Sequence, residues 1–215
     1  KYSLFNQSFA DKNRKQEDGW GIGYYDNGGK INLIKSPNPV YEEKDKFKAY
    51  IEKINANIII AHIRRASNPL KLPLSMLKTY EAAQPFSWNN YLFAHNGSIK
   101  VVKTVEEYIL EESNNDSEIL FLHLLQNLEK EKDFVKAIMR CENELCSIKD
   151  IPYSAINLIF SDGKKIYTVC KYSKKYENLK TLCKKEDYYF RLRYCLRNDT
   201  AIVASEKLDE SNDWY

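Results

Sequence analysis

Short apolar runs and stretches with apolar residues at helical spacing follow one another along the chain. Short runs that alternate in polarity or are rich in β-branched residues are typical of strands. By this pattern we predict strands in the first half of the chain at residues 20–25, 30–34, 57–64 (buried) and 91–95. The turn sequence DNGG joins the first two into a hairpin, and the pair Asn96-Gly97 ends the fourth.

The middle and the end of the chain show different patterns. Helical spacing of apolar residues predicts helices at residues 41–54, 104–112, 117–130 and 132–145. Residues 68–77 hold two prolines and indicate a surface loop. Strand patterns return at residues 155–160, 165–171, 188–196 and 201–205. This order favours one layered α+β domain over residues 1–215 rather than a wound βαβ sheet.

Composition excludes two classes of partner. The 215 residues are 43% hydrophobic, which allows one full core, and the net charge of +3 is too small to indicate nucleic-acid binding. The longest apolar runs are far shorter than the roughly 20 residues of a membrane-spanning helix. We therefore expect neither a nucleic acid nor a membrane as partner.

The number and spacing of the cysteines and histidines bear on disulfide bonds and metal sites. The five cysteines include no CxxC pair, which argues against a disulfide framework and against a zinc site. Because the chain has only three histidines, we expect no metal centre, and we predict no cofactor. Free thiols in this number fit a reducing, cytoplasmic setting.

Two segments beside predicted strands are candidates for chemistry. Residues 18–23 (DGWGIG) place three glycines at alternate positions, which suggests that the backbone approaches another group closely; a flexible strand entry is the alternative. Residues 61–67 (AHIRRAS) end a predicted strand with two arginines. An arginine there can hold a carboxylate through two parallel hydrogen bonds, although a pair of solvated arginines gives the same pattern.

Two further segments lie around the predicted central helices. The Asn-Gly pair that ends residues 93–97 (FAHNG) is usually a turn, yet the Asn amide and the Gly N–H can also stabilise an oxyanion. Residues 114–118 (NNDSE) precede an apolar helix, so Asp116 or Ser117 can cap that helix. The carboxylate of Asp116 is also suited to bind a substrate ammonium group.

The order and spacing of these four segments resemble the class II glutamine amidotransferases, and within them a stand-alone branch related to γ-glutamyl hydrolases. Residues 204–208 (ASEKL) resemble the Ser-Glu-Pro-Leu segment near the end of that branch. The resemblance runs from about Leu4 to Tyr215. It implies a four-layer αββα sandwich of two mainly antiparallel sheets, the N-terminal-nucleophile hydrolase fold, with the predicted central helices on one face.

The resemblance also implies a site at one end of the two sheets. Arg64 would bind the α-carboxylate of glutamine, and Asp116 would bind its α-ammonium group. The Asn96 side chain and the Gly97 N–H would form the oxyanion hole and act as the catalytic residues of this chain. The other residues expected in the site are Arg65, Ser67 and Gly19.

In this family the nucleophile is a cysteine at the N-terminus whose own α-amino group serves as general base. No cysteine stands near the start of this chain, so we expect the nucleophile and its strand to lie upstream of Lys1, beside Gly19. A second departure is Gln84, where related proteins have His before Pro-Phe.

Two functions remain open on the sequence. The first is a glutaminase or γ-glutamyl amide hydrolase, with glutamine or another γ-glutamyl compound as substrate. Any ammonia acceptor would then be a synthase on another chain, because 215 residues leave no room for a synthase domain. The alternative is a non-catalytic module that has lost the nucleophile and senses glutamine or scaffolds a partner.

Overall fold

A computed structural model describes residues 3–68, 71–100, 115–148, 150–183 and 187–215. The predicted helix at 104–112 lies outside the described residues. The helices are α1 (Leu4–Gln7), α2 (Lys44–Ile51), α3 (Leu74–Leu77), α4 (Asp116–Glu131) and α5 (Phe134–Ile148). The long helices α4 and α5 confirm the predicted central pair, whereas α2 is shorter than predicted. The predicted loop at 68–77 contains the short helix α3.

The first sheet is antiparallel and is built from β1 (Trp20–Tyr25), β2 (Ile31–Ser36) and β3 (Ile59–Ile63), in the order β2-β1-β3. The predicted hairpin of the first two strands is confirmed. Its turn is held by the Asp26 carboxylate, which accepts hydrogen bonds from the N–H groups of Gly28 and Lys30, each at 2.9 Å. A carboxylate that caps its own turn in this way is a common device of Asp.

The second sheet is also antiparallel, with strands β4 (Phe86–Trp88), β5 (Tyr91–Ile99), β6 (Tyr153–Ser161) and β7 (Ile166–Val169) in that order. A separate ribbon pairs β8 (Arg193–Arg197) with β9 (Thr200–Ala204). The strand predicted at 188–196 therefore begins later than expected. A 3₁₀ turn covers Lys174–Tyr176.

The predicted break at Asn96-Gly97 is wrong, because β5 runs through this pair to Ile99. Asn96 pairs with Asn157 and Gly97 with Ile156 on β6. A Cβ atom at Gly97 would overlap the carbonyl oxygen of Ala155. Glycine serves here to bring two strands together, not to turn the chain.

Three apolar clusters separate the layers. Between the two sheets, Tyr25 and Ile60 pack with Leu92 and Ala94. On the outer face of the second sheet, residues of β5 and β6 pack against α4 and α5; Phe93, for example, stacks on Phe121 at 4.9 Å between ring centroids. These two clusters place the sheets face to face and put the long helices outside them.

The third cluster covers the outer face of the first sheet. Trp20 and Ile22 of β1 pack against Phe47 of α2, with Leu4 of α1 partly buried beside them. The Trp20 ring meets Phe47 edge to face, and its Nε1–H donates to Glu43 Oε2 at 2.8 Å. Helices thus lie on both sides of the stacked sheets, which confirms the αββα sandwich.

Strand β3 departs from the prediction of a buried strand. Ile59 is 45% exposed, although Ile60 is only 1% exposed. Within the described residues, β3 pairs only with β1, so the opposite edge of β3 is open. This edge borders the groove described below.

Glycine at position 21 is required by the close approach of β1 to the segment that precedes β4. A Cβ atom there would overlap the backbone oxygen of Gln84. We expect Gly21→Ala to lower the free energy of unfolding by about 1–3 kcal/mol, since the backbone of two layers must move to accept the methyl group. Chemical denaturation monitored by circular dichroism measures this value.

The matched control is Gly28→Ala in the β1–β2 turn. A methyl group there meets only the flexible Asp26 carboxylate, at 3.3 Å. Its free energy of unfolding should stay within about 0.5 kcal/mol of the wild type. Equal effects of the two substitutions would contradict the proposed overlap.

Candidate active site

A polar pocket of about 310 Å³ opens at one end of the two sheets. The residues of the pocket come from the segment after β3, from β5, from the start of α4 and from the last third of the chain. Six of the predicted site residues line it: Arg64, Arg65, Ser67, Asn96, Gly97 and Asp116. Gly19 is not among the lining residues. It lies behind Arg64, whose N–H donates to the Gly19 carbonyl at 2.8 Å.

Arg64 is held in place by backbone carbonyls. Its Nη1 donates to Leu77 O at 2.6 Å and to Asp18 O at 3.2 Å, and the residue is 5% exposed. Burial lowers the pKa of Arg64, while the charges of Asp18 and Asp116 oppose this effect. A guanidinium carries five N–H donors, so these two contacts leave donors for a ligand.

Asp18 supports the same corner of the pocket. Its carboxylate accepts a hydrogen bond from the Ala66 N–H at 2.8 Å and pairs with Lys78 at 2.9 Å. Its own N–H donates to the Arg64 carbonyl at 3.0 Å. Residues 18–19 of the Asp-Gly segment therefore hold residues 64–66 of the arginine segment in place.

Gly97 presents its amide to the open side of β5. On β6, the N–H of Ile156 donates to Lys171 O at 2.7 Å, so the backbone of Ile156 faces β7. The Gly97–Ile156 pair is therefore a pair without mutual hydrogen bonds, and the Gly97 N–H points away from β6. Two residues earlier on the same edge, the His95 N–H donates to Gln84 Oε1 at 2.7 Å.

Asp116 lies at the first position of α4 and is 4% exposed. Its Oδ1 accepts from Ser67 Oγ at 2.8 Å, and its Oδ2 accepts from the Ile99 N–H at 2.9 Å. The helix cap is Asn115, whose Oδ1 accepts from the Ser117 N–H at 3.0 Å, and not Asp116 or Ser117 as the alternative interpretation held. Each carboxylate oxygen keeps a lone pair for a ligand cation.

One wall of the pocket comes from the last third of the chain, where only the segment 204–208 was marked from the sequence and no site residue was assigned to it. Tyr189 and Phe190 line it, and so does Glu206 of the Ser-Glu segment. The Glu206 carboxylate accepts hydrogen bonds from the N–H groups of Leu182 and Cys183, which holds that loop against the site. Burial raises the pKa of Tyr189, and a hydrogen bond with the Asn96 side chain acts in the opposite direction.

All five cysteines lie in the described part of the chain, and none of them lines the pocket. Burial raises the pKa of Cys141 and of Cys183 to about 12. A thiol with such a pKa is almost fully protonated at neutral pH and is a weak nucleophile.

An apolar groove of about 430 Å³ runs from the pocket between β3 and β9. Its floor is formed by β5 and β6, and its sides include Ile59 of β3 and Ile202 of β9. His62 and Asn96 line both the groove and the pocket, so the two cavities adjoin there. Nδ1 of His62 is buried and has no hydrogen-bond partner among the described residues.

Comparison with known proteins identifies the family of this chain. The family of glutamine amidotransferases class II matches residues 2–215. The chain belongs to the class II glutamine amidotransferases. The structure of a glutamine aminotransferase class-II domain protein from Silicibacter pomeroyi superposes with a TM-score of 0.63 at 21% identity, over 91% of this chain and 81% of that one. The fold expected from the resemblance is thereby confirmed.

Two curated relatives of this amidotransferase domain are longer than it is. An uncharacterised protein of Methanocaldococcus jannaschii is 30% identical over 224 aligned residues, which cover 96% of this chain and 60% of that protein. The gamma-glutamyl-hercynylcysteine sulfoxide hydrolase of Mycolicibacterium smegmatis is 27% identical over 100 residues, covering 45% of this chain and 41% of that enzyme. The chain thus spans less than two thirds of each relative.

The described residues contain neither a membrane-spanning helix nor a metal-binding cluster. Helices in this part of the amidotransferase domain are all too short or too polar to cross a membrane. The same residues contain no group of three or more His, Cys, Asp or Glu side chains arranged to hold a metal ion.

His62 links this site to the pH dependence of stability. Burial, reinforced by the charge of Arg64, lowers the pKa of His62 to about 3. In the unfolded chain a histidine has a pKa of about 6.5, so the unfolded state binds the proton first. The His62 contribution to stability is therefore lost as the pH falls from about 6.5 toward 3.

The free energy of unfolding should fall less steeply with decreasing pH in His62→Gln than in the wild type. The difference in slope is at most that produced by the binding of one proton. Urea denaturation at a series of pH values between 4 and 7 measures both slopes. Parallel curves for the wild type and the variant would contradict the lowered pKa of His62.

Proposed function

We propose that this domain hydrolyses the γ-amide of glutamine, or of another γ-glutamyl compound, with release of ammonia in the case of glutamine. One observation carries the proposal: a single pocket holds two neutral donors on β5 and two charged groups, Arg64 and Asp116, on its other walls. A γ-glutamyl amide has a carbonyl at one end and a charged amino-acid group at the other. The two sets of residues match these two ends.

The carbonyl end of the substrate is assigned to β5. The Asn96 side-chain amide and the Gly97 N–H would donate to the γ-carbonyl oxygen as it gains negative charge. The direction of the Gly97 N–H, away from β6, supports this role. Donors fixed before the reaction stabilise such a charge without reorganisation.

The amino-acid end is assigned to the charged groups. Arg64 would bind the α-carboxylate through its remaining N–H donors, and Asp116 would bind the α-ammonium group. Both groups are already held by protein contacts, Arg64 by Leu77 O and Asp116 by Ser67 and Ile99. Little motion is then needed when the substrate binds, which favours a precise orientation of the amide.

The nucleophile is assigned to an N-terminal cysteine on a segment that precedes Lys1. Its thiolate would add to the γ-carbonyl carbon, and the C–N bond would break as the nitrogen takes up a proton and leaves as ammonia. Water would then hydrolyse the thioester to glutamate and the free thiol. The α-amino group of the cysteine would serve as general base.

The apolar groove is the proposed site for this segment. Within the described residues, the groove borders an edge of β3 that is not paired, and it opens into the pocket beside Asn96. An extended segment lying there could add a strand to β3 and bring its end to the oxyanion donors. Main-chain hydrogen bonds to an open strand edge are a common mode of such docking.

A second candidate is a non-catalytic module that binds glutamine. It is favoured by the position of the five cysteines, since none of them lines the pocket. The residue that follows the initiator Met in the full protein separates the two candidates. A cysteine there supports the enzyme, whose ammonia would pass to a synthase on another chain or be released.

Removal of the proposed oxyanion donor tests the proposed enzymatic function. In the full-length protein we expect Asn96→Ala to lower kcat for glutamine hydrolysis by about 10²–10³-fold, because the developing negative charge loses a donor. We expect Asp116→Asn to raise KM by about 10–100-fold, since a hydrogen bond to a charged group is lost. Ammonia release at several glutamine concentrations separates the two constants.

The control is Asn32→Ala on β2, which removes a half-buried amide that contacts Asp26 on the hairpin. It should leave kcat and KM near the wild-type values. Wild-type activity that persists in Asn96→Ala would overturn the assignment of that residue. If the full-length protein has an N-terminal cysteine but hydrolyses no γ-glutamyl amide, the proposed enzymatic function is wrong.

A charge placed in the groove tests whether a segment covers it. Ile59 is 45% exposed in the described structure, so Ile59→Lys should be harmless if the groove stays open. If a strand lies there, the lysine is buried, and we expect a loss of about 2 kcal/mol or more in unfolding free energy together with a loss of activity. Thermal or urea denaturation of the full-length protein measures the change.

The matched control is Ile51→Lys at the end of α2, a residue that is 48% exposed and does not line the groove. It should change the free energy of unfolding by less than about 0.5 kcal/mol. Equal, small effects of both substitutions would show that the groove is open in the full-length protein.

A further inference from the structure

His95 lines the pocket, but the proposal above gives it no contact with the substrate. Its Nδ1 lies 2.9 Å from Ser117 Oγ on α4, and its Nε2 lies 3.0 Å from the Ala155 carbonyl oxygen on β6. Its backbone N–H donates to Gln84 Oε1. The residue is 2% exposed, so these contacts are sheltered from water.

The contacts decide the tautomer of the ring. A carbonyl oxygen can only accept, so Nε2 must carry the proton that is donated to Ala155. In a neutral imidazole Nδ1 is then an acceptor, and the Ser117 hydroxyl donates to it. Burial lowers the pKa of His95, which keeps the ring neutral, although the charge of Asp116 opposes this shift.

The ring also touches the backbone of an oxyanion donor. A Cβ atom at Gly97 would lie 2.6 Å from His95 Nε2. The β5–β6 ladder changes register between Gly97 and Ile99, and the Ile99 N–H donates to Asp116 rather than to β6. Two bridges therefore join this stretch of β5 to the start of α4: His95 to Ser117, and Ile99 to Asp116.

We propose that His95 is a positioning residue, a neutral Nε2–H bridge between β6 and α4 that sets the separation of the oxyanion donors from Asp116. That separation corresponds to the distance from the γ-carbonyl to the α-ammonium group of the substrate. The inference rests on the proposed function, and it gives His95 no part in proton transfer. Among the described residues, the charged or titratable groups that face it are Asp116 and, from β3, His62.

Nuclear magnetic resonance tests the His95 bridge in a way that does not depend on enzymatic activity. The chain has only three histidines, so long-range ¹H–¹⁵N spectra of ¹⁵N-histidine protein are simple to assign with His62→Gln and His123→Gln. We expect His95 as the neutral Nε2–H tautomer from pH 5.5 to 8. A neutral Nδ1–H ring, or a ring protonated at pH 6, would overturn the proposal.

Kinetics of the full-length protein test the positioning role. His95→Leu removes both ring contacts of His95, to Ser117 and to Ala155. We expect kcat to fall by about 10–100-fold while KM stays within about threefold, because a displacement of about 1 Å can cost that much. His95→Gln keeps an amide N–H near the position of Nε2, and it should recover most of the lost rate. Ser117→Ala, which removes only the Nδ1 partner, should give an intermediate kcat.

The control is His123→Gln, because His123 is also buried and hydrogen-bonded, to Glu144 on α5, but does not line the pocket. It should leave kcat per folded molecule unchanged even if it lowers Tm. Equal kcat values for His95→Leu, His95→Gln and the wild type would overturn the positioning role. A wild type without any activity would instead contradict the proposed function, and the spectra would still report on the bridge.

Discussion

The rest of the site depends on the tight packing of the Gly97 backbone against β6. No side chain fits there, because a Cβ atom would overlap the Ala155 carbonyl oxygen and crowd His95 Nε2. This approach keeps β5 beside β6 through the Asn-Gly pair and to Ile99, where the register changes. The amide of Ile99 is then available to Asp116. The packing of Gly97 against β6 thus also determines how the β5–β6 pair is joined to the start of α4.

Buried charge is the second constraint on this region. Arg64 and Asp116 are 5% and 4% exposed, and an isolated charge at such a depth costs several kcal/mol. Each is held by protein groups: Arg64 by two backbone carbonyls, Asp116 by a hydroxyl and an amide. The same contacts that offset the desolvation of the two charges also fix their positions, so the pocket is formed before a ligand enters it.

Local patterns predicted the elements whose stability is itself local. The first hairpin was predicted from its turn residues. Helices α4 and α5 were predicted because their apolar spacing continues over many residues. The break predicted at Asn96-Gly97 was wrong, because a turn preference is weak beside the pairing of a nine-residue strand with β6. The open edge of β3 was missed as well, since an apolar run does not reveal which neighbour covers it.

The sequence by itself determined the chemical types in the site and their order along the chain, from the arginine segment through Asn96 and Gly97 to Asp116. Only the tertiary structure decided their contacts: Ser67 reaches Asp116 across 49 residues of chain, and His95 joins β6 to α4. The place of Tyr189 in the wall of the pocket likewise has no local signal, and the segment around Glu206 was recognised without its position being known. The reason is physical, because such contacts arise from the packing of sheets on helices, and no periodicity within a segment records which segment will lie against it.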